Sequence, residues 1–298
     1  MINYHISYNN AYRHFIDIKV ELDLNDEKEL EIQLPVWRPG RYELGNFIKN
    51  IQNFNVFNEE DKQLFFEKIN KARWRVDLGG SKKVRIQYNY YANELNAGST
   101  YLDENQLYVN PVNCCVFIIG KENIPCRLIM DTPSSYKIGI GLKQLDSNIF
   151  LASNFDELAD SPFIASNNLL HDSYEIDNIK FHIWVQGLEK VDFKKIKKDF
   201  IAFTSEQISC FGSFPVKQYH YLIQTTPYKS YHGVEHKTST VILLGPGSEL
   251  TTARYDDFLG VSSHELYHTW NIKTIRPKEM LGEMQLKEVV HIHLIEYR

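Results

Sequence analysis

Hydrophobic and polar residues alternate through much of the first half of this chain. Ile2, Tyr4, Ile6 and Tyr8 fill every second position, as do Ile16, Ile18, Val20 and Leu22. The same period returns at Leu30, Ile32, Leu34 and Val36, and at Val84, Ile86, Tyr88 and Tyr90. Successive side chains of a strand point to opposite faces, so each run predicts a strand with one buried and one wet face. Turn-prone pieces separate the runs: Asn9-Asn10, Asn25-Asp26, Arg38-Pro39-Gly40 and Gly79-Gly80-Ser81. Repeated half-buried strands of this kind predict an antiparallel sandwich or saddle-like sheet. It runs to about residue 170 and closes with the segment Asp156-Glu157-Leu158-Ala159-Asp160-Ser161-Pro162.

The pattern then changes. Ile179, Phe181, Ile183 and Val185 predict one more alternating strand. Phe193, Ile196, Phe200 and Phe203 recur at helical intervals behind Asp192, a suitable N-cap. Lys194, Lys195, Lys197 and Lys198 read as the solvated face of that helix rather than as a nucleic-acid patch. Strands follow at 219–224 and 240–244. A helix is then predicted over 255–272, with Leu259, Leu266 and Trp270 near helical spacing. The fold class is therefore α+β, with a β-rich antiparallel N-terminal domain at 1–170 and a second domain at 171–298.

A length of 298 residues and a 43% hydrophobic content allow two domains, each with its own core. The net charge of -5 is spread without long blocks of one sign, which gives no reason to expect nucleic acid or an anionic membrane as partner. Cys114 and Cys115 are adjacent, a spacing that suits no common zinc site; with Cys126 and Cys210 they read as buried reduced thiols. Met1-Ile2-Asn3-Tyr4-His5 lacks a basic start and apolar core, and no stretch approaches the apolar length of a membrane span. The expectation is a cytoplasmic enzyme.

One stretch carries candidate chemistry. In His264-Glu265-Leu266-Tyr267-His268, two histidines four apart on a helix project from one face, so both imidazoles can reach one cation. Glu265 lies on the flank of that face, where it can deprotonate a metal-bound water. Two such histidines are also found on ordinary helix surfaces. The helical context and the small Ser262 and Ser263, suited to a helix passing close to a cleft, favour zinc. The expected site has His264 and His268 as ligands of Zn²⁺, a carboxylate as third ligand and an open fourth position. A metzincin would need glycine at position 271 and histidine at position 274, where this chain has Asn271 and Thr274. A mixed sheet leading into such a helix is the front half of a thermolysin-like (zincin) catalytic domain.

Four ordered segments resemble the glycyl aminopeptidase family, gluzincin-type peptidases that usually carry a C-terminal PDZ domain. Residues Ser263 to Lys273, followed by Ile275-Arg276-Pro277, are similar to that family's active-site stretch. Leu34-Pro35-Val36-Trp37-Arg38-Pro39-Gly40-Arg41-Tyr42 resembles its N-terminal signature, and Asp156 to Pro162 its Asp-Glu-Leu-x-Asp-Ser-Pro segment. His232-Gly233-Val234-Glu235-His236 is similar to its Gly-Gly-x-Glu-His segment. The resemblance implies zinc, peptide substrates with a free N-terminus, and removal of small first residues such as Gly or Ala. It implies that Glu235, on a strand beside the cleft, binds the substrate's amino group.

The family's third ligand is a glutamate before a glycine, some thirty residues past the second histidine. Glu283, Glu288 and Glu296 are the candidates here, and none precedes Gly. Val290, Ile292, Leu294 and Glu296 alternate like a strand where a helix is needed, and His291 and His293 read as incidental. From Gly282 onward the likeness stops, so the expectation is a truncated product. The alternatives are a non-catalytic peptide-binding module with a vestigial peptidase domain, and a zinc endopeptidase in which Glu235 meets no amino terminus.

Overall fold

The computed structural model describes residues 1–37 and 44–275. The alternating runs do form strands. Ile2–Ser7, Phe15–Asp23 and Lys83–Tyr91 lie side by side in a seven-stranded sheet, with Ile51–Asn58 at one edge. On the other side, Cys126–Met130 pairs in parallel with Ile2–Ser7 and leads out to Ile149–Ala152 and Lys143–Asp146. The apolar member of each alternating pair faces one core, where Tyr4, Ile6, Ile16, Val20 and Ile86 are fully buried. A four-stranded sheet containing Glu29–Gln33 and Arg73–Asp77 packs on that core. The strand read to Val36 ends at Gln33, because Pro35 has no N–H to offer a neighbour. A third sheet orders Lys137–Ile140, Phe163–Ser166, Gln106–Val109 and Tyr101–Leu102.

From residue 170 onward the chain builds a five-stranded mixed sheet. Its order is Leu170–Ile176, Ile179–Gln186, Gln218–Thr225, Ser239–Gly245 and Ser230–Glu235. The central three strands are parallel, and both outer strands run antiparallel to their neighbours. Helix Phe193–Phe211 crosses between the first parallel pair. Asp192 caps it by accepting from the Lys195 amide at 3.1 Å, and Gly212 closes it at φ 80°. Its lysines behave as a helix face does: Lys197 pairs with Asp172 at 2.6 Å, while Lys194 and Lys198 are exposed.

Phe181, Ile183, Tyr219, Tyr221, Ile242 and Leu244 point to the helical side of this sheet and meet Phe200, Phe258, Leu266 and Trp270. Leu222, Val234, Val241 and Leu243 point the other way, onto Ala97, Tyr108 and Ile164 of the preceding part. Burial on both faces explains why the strand at 218–225 reads as a continuous apolar run. The fold is α+β and β-rich. No described helix is long and apolar enough to cross a membrane.

Two expectations need correction. The helix that carries the histidine pair is Tyr255–Tyr267, with His268 as its C-cap, rather than reaching residue 272. Its final turn tightens to hydrogen bonds from Thr269 to Leu266 and from Trp270 to Tyr267, and Ile272 at φ 81° cannot continue a right-handed helix. Of the cysteines, Cys114, Cys115 and Cys126 are buried and free, but Cys210 is exposed on the outer face of its helix.

Candidate metal centre

Phe258, Val261 and Leu266 anchor helix Tyr255–Tyr267 to the sheet, which turns His264 outward and leaves His268 half-buried at the helix end. The two Nε2 atoms lie 3.1 Å apart, with the ring planes at 88°. Two nitrogens bound to one tetrahedral zinc at about 2.0–2.1 Å would sit about 3.3 Å apart. His268 Nδ1 stands 3.2 Å from the carbonyl oxygen of Asn271. A carbonyl only accepts, so Nδ1 carries the proton and Nε2 keeps its lone pair toward His264. The donor set thus fits two corners of a zinc site. Among the described residues no group of three or more His, Cys, Asp or Glu side chains is gathered for a metal. Glu283, Glu288, Glu296, His291 and His293 lie outside the described residues.

Glu265 is more enclosed than a flank position implies, at 5% exposure. Its carboxyl lies against the edge strand Ser230–Glu235 at Gly233. A Cβ on Gly233 would stand 2.1 Å from Glu265 Oε1 and 2.6 Å from its Cδ. The missing side chain at Gly233 is what lets the Glu265 side chain lie this close to the strand. Gly233 and Glu235 are two apart on a strand and share a face, opposite Ile242 and Thr240. Glu235 therefore points to the same side as Glu265. It is half-buried and makes no ion pair or side-chain hydrogen bond with any described residue. The Tyr219 hydroxyl donates to the Glu265 carbonyl at 3.3 Å. Burial raises its pKa well above the tyrosine norm, and the Glu265 and Glu235 carboxylates add to that.

A second cluster adjoins the site, built from residues given no role in the sequence reading. Asp160, from the Asp156–Pro162 segment, accepts from His236 Nδ1 at 3.0 Å and Lys273 Nζ at 2.9 Å through Oδ1. Its Oδ2 accepts from the Lys237 amide at 2.9 Å. Burial pushes the Asp160 carboxyl up, but Lys273 and His236 outweigh burial and hold it well below the usual carboxylate range. The available signal was that three of the four quoted segments each carry one of these charged residues.

A histidine pair on a helix, a buried glutamate between them and an antiparallel edge strand alongside define the metallopeptidase class of arrangement. The chain belongs to the M61 peptidase family: the Peptidase M61 N-terminal domain matches residues 3–167, and the M61 glycyl aminopeptidase model matches residues 257–294. The second match continues past Gly282, where the sequence reading ends the likeness, and so corrects it. The structure is similar to that of an aminopeptidase N family protein from Idiomarina loihiensis, with a TM-score of 0.86 and 28% identity. That likeness covers 95% of this chain and 50% of the other, so this chain spans half the length of that protein. An M1 zinc metallopeptidase from Deinococcus radiodurans shares the fold, with a TM-score of 0.51 and 12% identity over 90% of this chain and 63% of that one. No curated protein matches.

Proposed function

We propose that this chain carries the metal-binding half-site of a zinc-dependent aminopeptidase acting on peptides with a free N-terminus and small first residues such as Gly or Ala. The observation that carries this reading is the pair of Nε2 atoms 3.1 Å apart, with the neighbouring Glu265 side chain lying against the edge strand at Gly233. His264 and His268 would hold the metal. Bound zinc supplies Lewis acidity, polarising a scissile carbonyl and acidifying a water molecule. Glu265 takes the proton of the attacking water and delivers it to the leaving amine. Its side chain lies against Gly233 of the edge strand, which sets where the carboxylate stands. Glu235 pairs with the substrate's ammonium, which fixes the peptide so that only its first bond reaches the histidine pair. The lack of any partner for Glu235 among the described residues supports a ligand-facing role over a structural ion pair.

The same reading places the sheet-rich part at 1–170 and the catalytic part at 171–298 in separate domains. It sets the protein in the cytoplasm, a reducing compartment that suits three buried unpaired thiols.

The test is zinc content of the purified chain together with hydrolysis of Gly and Ala anilides, with the amino group free or acetylated. We expect zinc in the wild type and cleavage of free-amine substrates alone. Glu265→Gln keeps the metal and loses turnover by about 10²–10⁴-fold. Near wild-type turnover in that variant removes Glu265 as the base. Equal cleavage of acetylated substrates indicates an endopeptidase, and peptide binding without zinc indicates a non-catalytic module.

A further inference from the structure

Asp160 stands 76 residues from His236 and 113 from Lys273, yet its carboxylate holds both. We propose that Asp160 is a positioning residue for the metal centre. Through Lys273 it fixes the turn whose Asn271 carbonyl orients His268, and through His236 and Lys237 it fixes the end of the strand that carries Glu235. The inference rests on the metal-site reading above and extends it to a residue outside the helix and the cleft strand.

The first arm runs through the turn after the helix. Lys273 is 2% exposed along its side chain, and Asp160 is its anionic partner among the described residues. A buried ammonium needs such a partner, so the lysine is held where Asp160 is. Its backbone amide also donates to the His268 carbonyl at 3.1 Å. Between Asn271 and Lys273 sits Ile272 at φ 81°. A β-branched residue in the left-handed region is costly and persists only where its neighbours are held on both sides. Asn271 is held by its bridge to Ile275, and Lys273 by Asp160. If Lys273 is released, Ile272 relaxes toward negative φ. The Asn271 carbonyl then swings away from His268 Nδ1, and the ring loses the contact that fixes its tautomer and aim.

The second arm runs through the strand. His236 directly follows Glu235 and is 2% exposed. With the Lys237 amide on the other carboxylate oxygen, Asp160 clamps two consecutive residues at the point where the edge strand ends. The clamp sets where Glu235 stands relative to the histidine pair.

Three full-length proteins separate positioning from a merely structural ion pair: the wild type, Asp160→Asn and Lys273→Met. The second variant removes the buried charge with a side chain of similar length, and so covers the case in which the first does not fold. Co²⁺ is titrated into each at a temperature where circular dichroism shows the folded state, and the visible d–d spectrum is recorded. The ring ¹⁵N signals of His268 are recorded without metal. We expect Co²⁺ affinity to fall about 10–100-fold in the variants, with an altered d–d spectrum. We also expect the metal-free Nδ1–H tautomer of His268 to give way to mixed ring signals. Folded variants with wild-type affinity, spectrum and ring signals overturn the inference, whatever their melting temperature. If the wild type takes up no Co²⁺, the metal reading fails. The metal-free ring signals then decide the Asp160 arm alone: a shift in the variants supports it, and unchanged signals overturn it.

Discussion

Gly233 and Glu265 show how one position can decide a site. An alanine at 233 would bring its Cβ within 2.1 Å of the glutamate's Oε1, so either the strand or the carboxylate must move. Gly233→Ala should cost about 1–3 kcal/mol of stability by urea unfolding. On the proposed reading it should also lower turnover about tenfold with zinc retained, since Glu265 is displaced and the two histidines are not. An unchanged rate would show that Glu265 does not act from this position. Glu235→Gln should raise KM for free-amine Gly and Ala anilides in steady-state kinetics, and an unchanged KM would remove Glu235 from the amino-group contact. At this scale the sequence made the histidine pair and Glu265 legible, because i,i+4 spacing on a helix is a local property. The contact with Gly233 was not legible, because it joins residues that meet only through the fold.

The elements divide along the same line. Long strands with one wet face, such as Phe15–Asp23 and Lys83–Tyr91, announce themselves through period two. Gln106–Val109 and Phe163–Ser166 are buried at every position and carry no such signature. The edge strand Ser230–Glu235 has one neighbour among the described residues and is mostly polar and half-exposed, which gives it no apolar stripe. The motif helix was recognisable, but its end was not, since the break at Ile272 is set by tertiary contacts of Trp270 and Lys273. Trp270 stacks on Phe211 at 4.7 Å and donates to the Ser213 carbonyl at 2.8 Å. The helix owes its seat to Phe258, which is fully buried against Phe200. Phe258→Ala should therefore destabilise the protein by about 3–5 kcal/mol in denaturant titrations. A loss below about 1 kcal/mol would mean that this packing does not hold the helix in place.

At the scale of the molecule, the five-stranded sheet carries a ladder of His171, His182 and His220 with Trp184 on the face turned toward the first part of the chain. His182 stacks on His220 at 4.4 Å, and His171 on Trp184 at 3.8 Å. Burial lowers the pKa of all three; for His182, burial followed by His171 and Lys180 brings it to about 4. Lys180 opposes protonation throughout the ladder, and Lys137 opposes it at His171, where Asp172 favours it. Each histidine takes its proton at lower pH when folded than when unfolded, where the imidazole titrates near pH 6.5, so the unfolded state binds more protons below that pH. Stability is therefore complete above about pH 6.5 and falls as pH drops toward 4. Urea midpoints at pH 7.5 and pH 5 should show the loss, and His182→Phe should shrink it while keeping the stack. An unchanged pH dependence in that variant would assign the effect elsewhere. Neither this ladder nor the Asp160 cluster was legible from spacing, because each gathers residues from separate segments.

The proposed chemistry requires His264 and His268 to grip one metal ion. A crystal of the full chain grown with zinc, recorded at the zinc absorption edge, tests this most directly. The account predicts one anomalous peak lying about 2.0–2.1 Å from both Nε2 atoms, with the Glu265 carboxylate beside it and outside bonding distance. A map with no peak between the two rings, or with zinc bound to one ring alone, would contradict it.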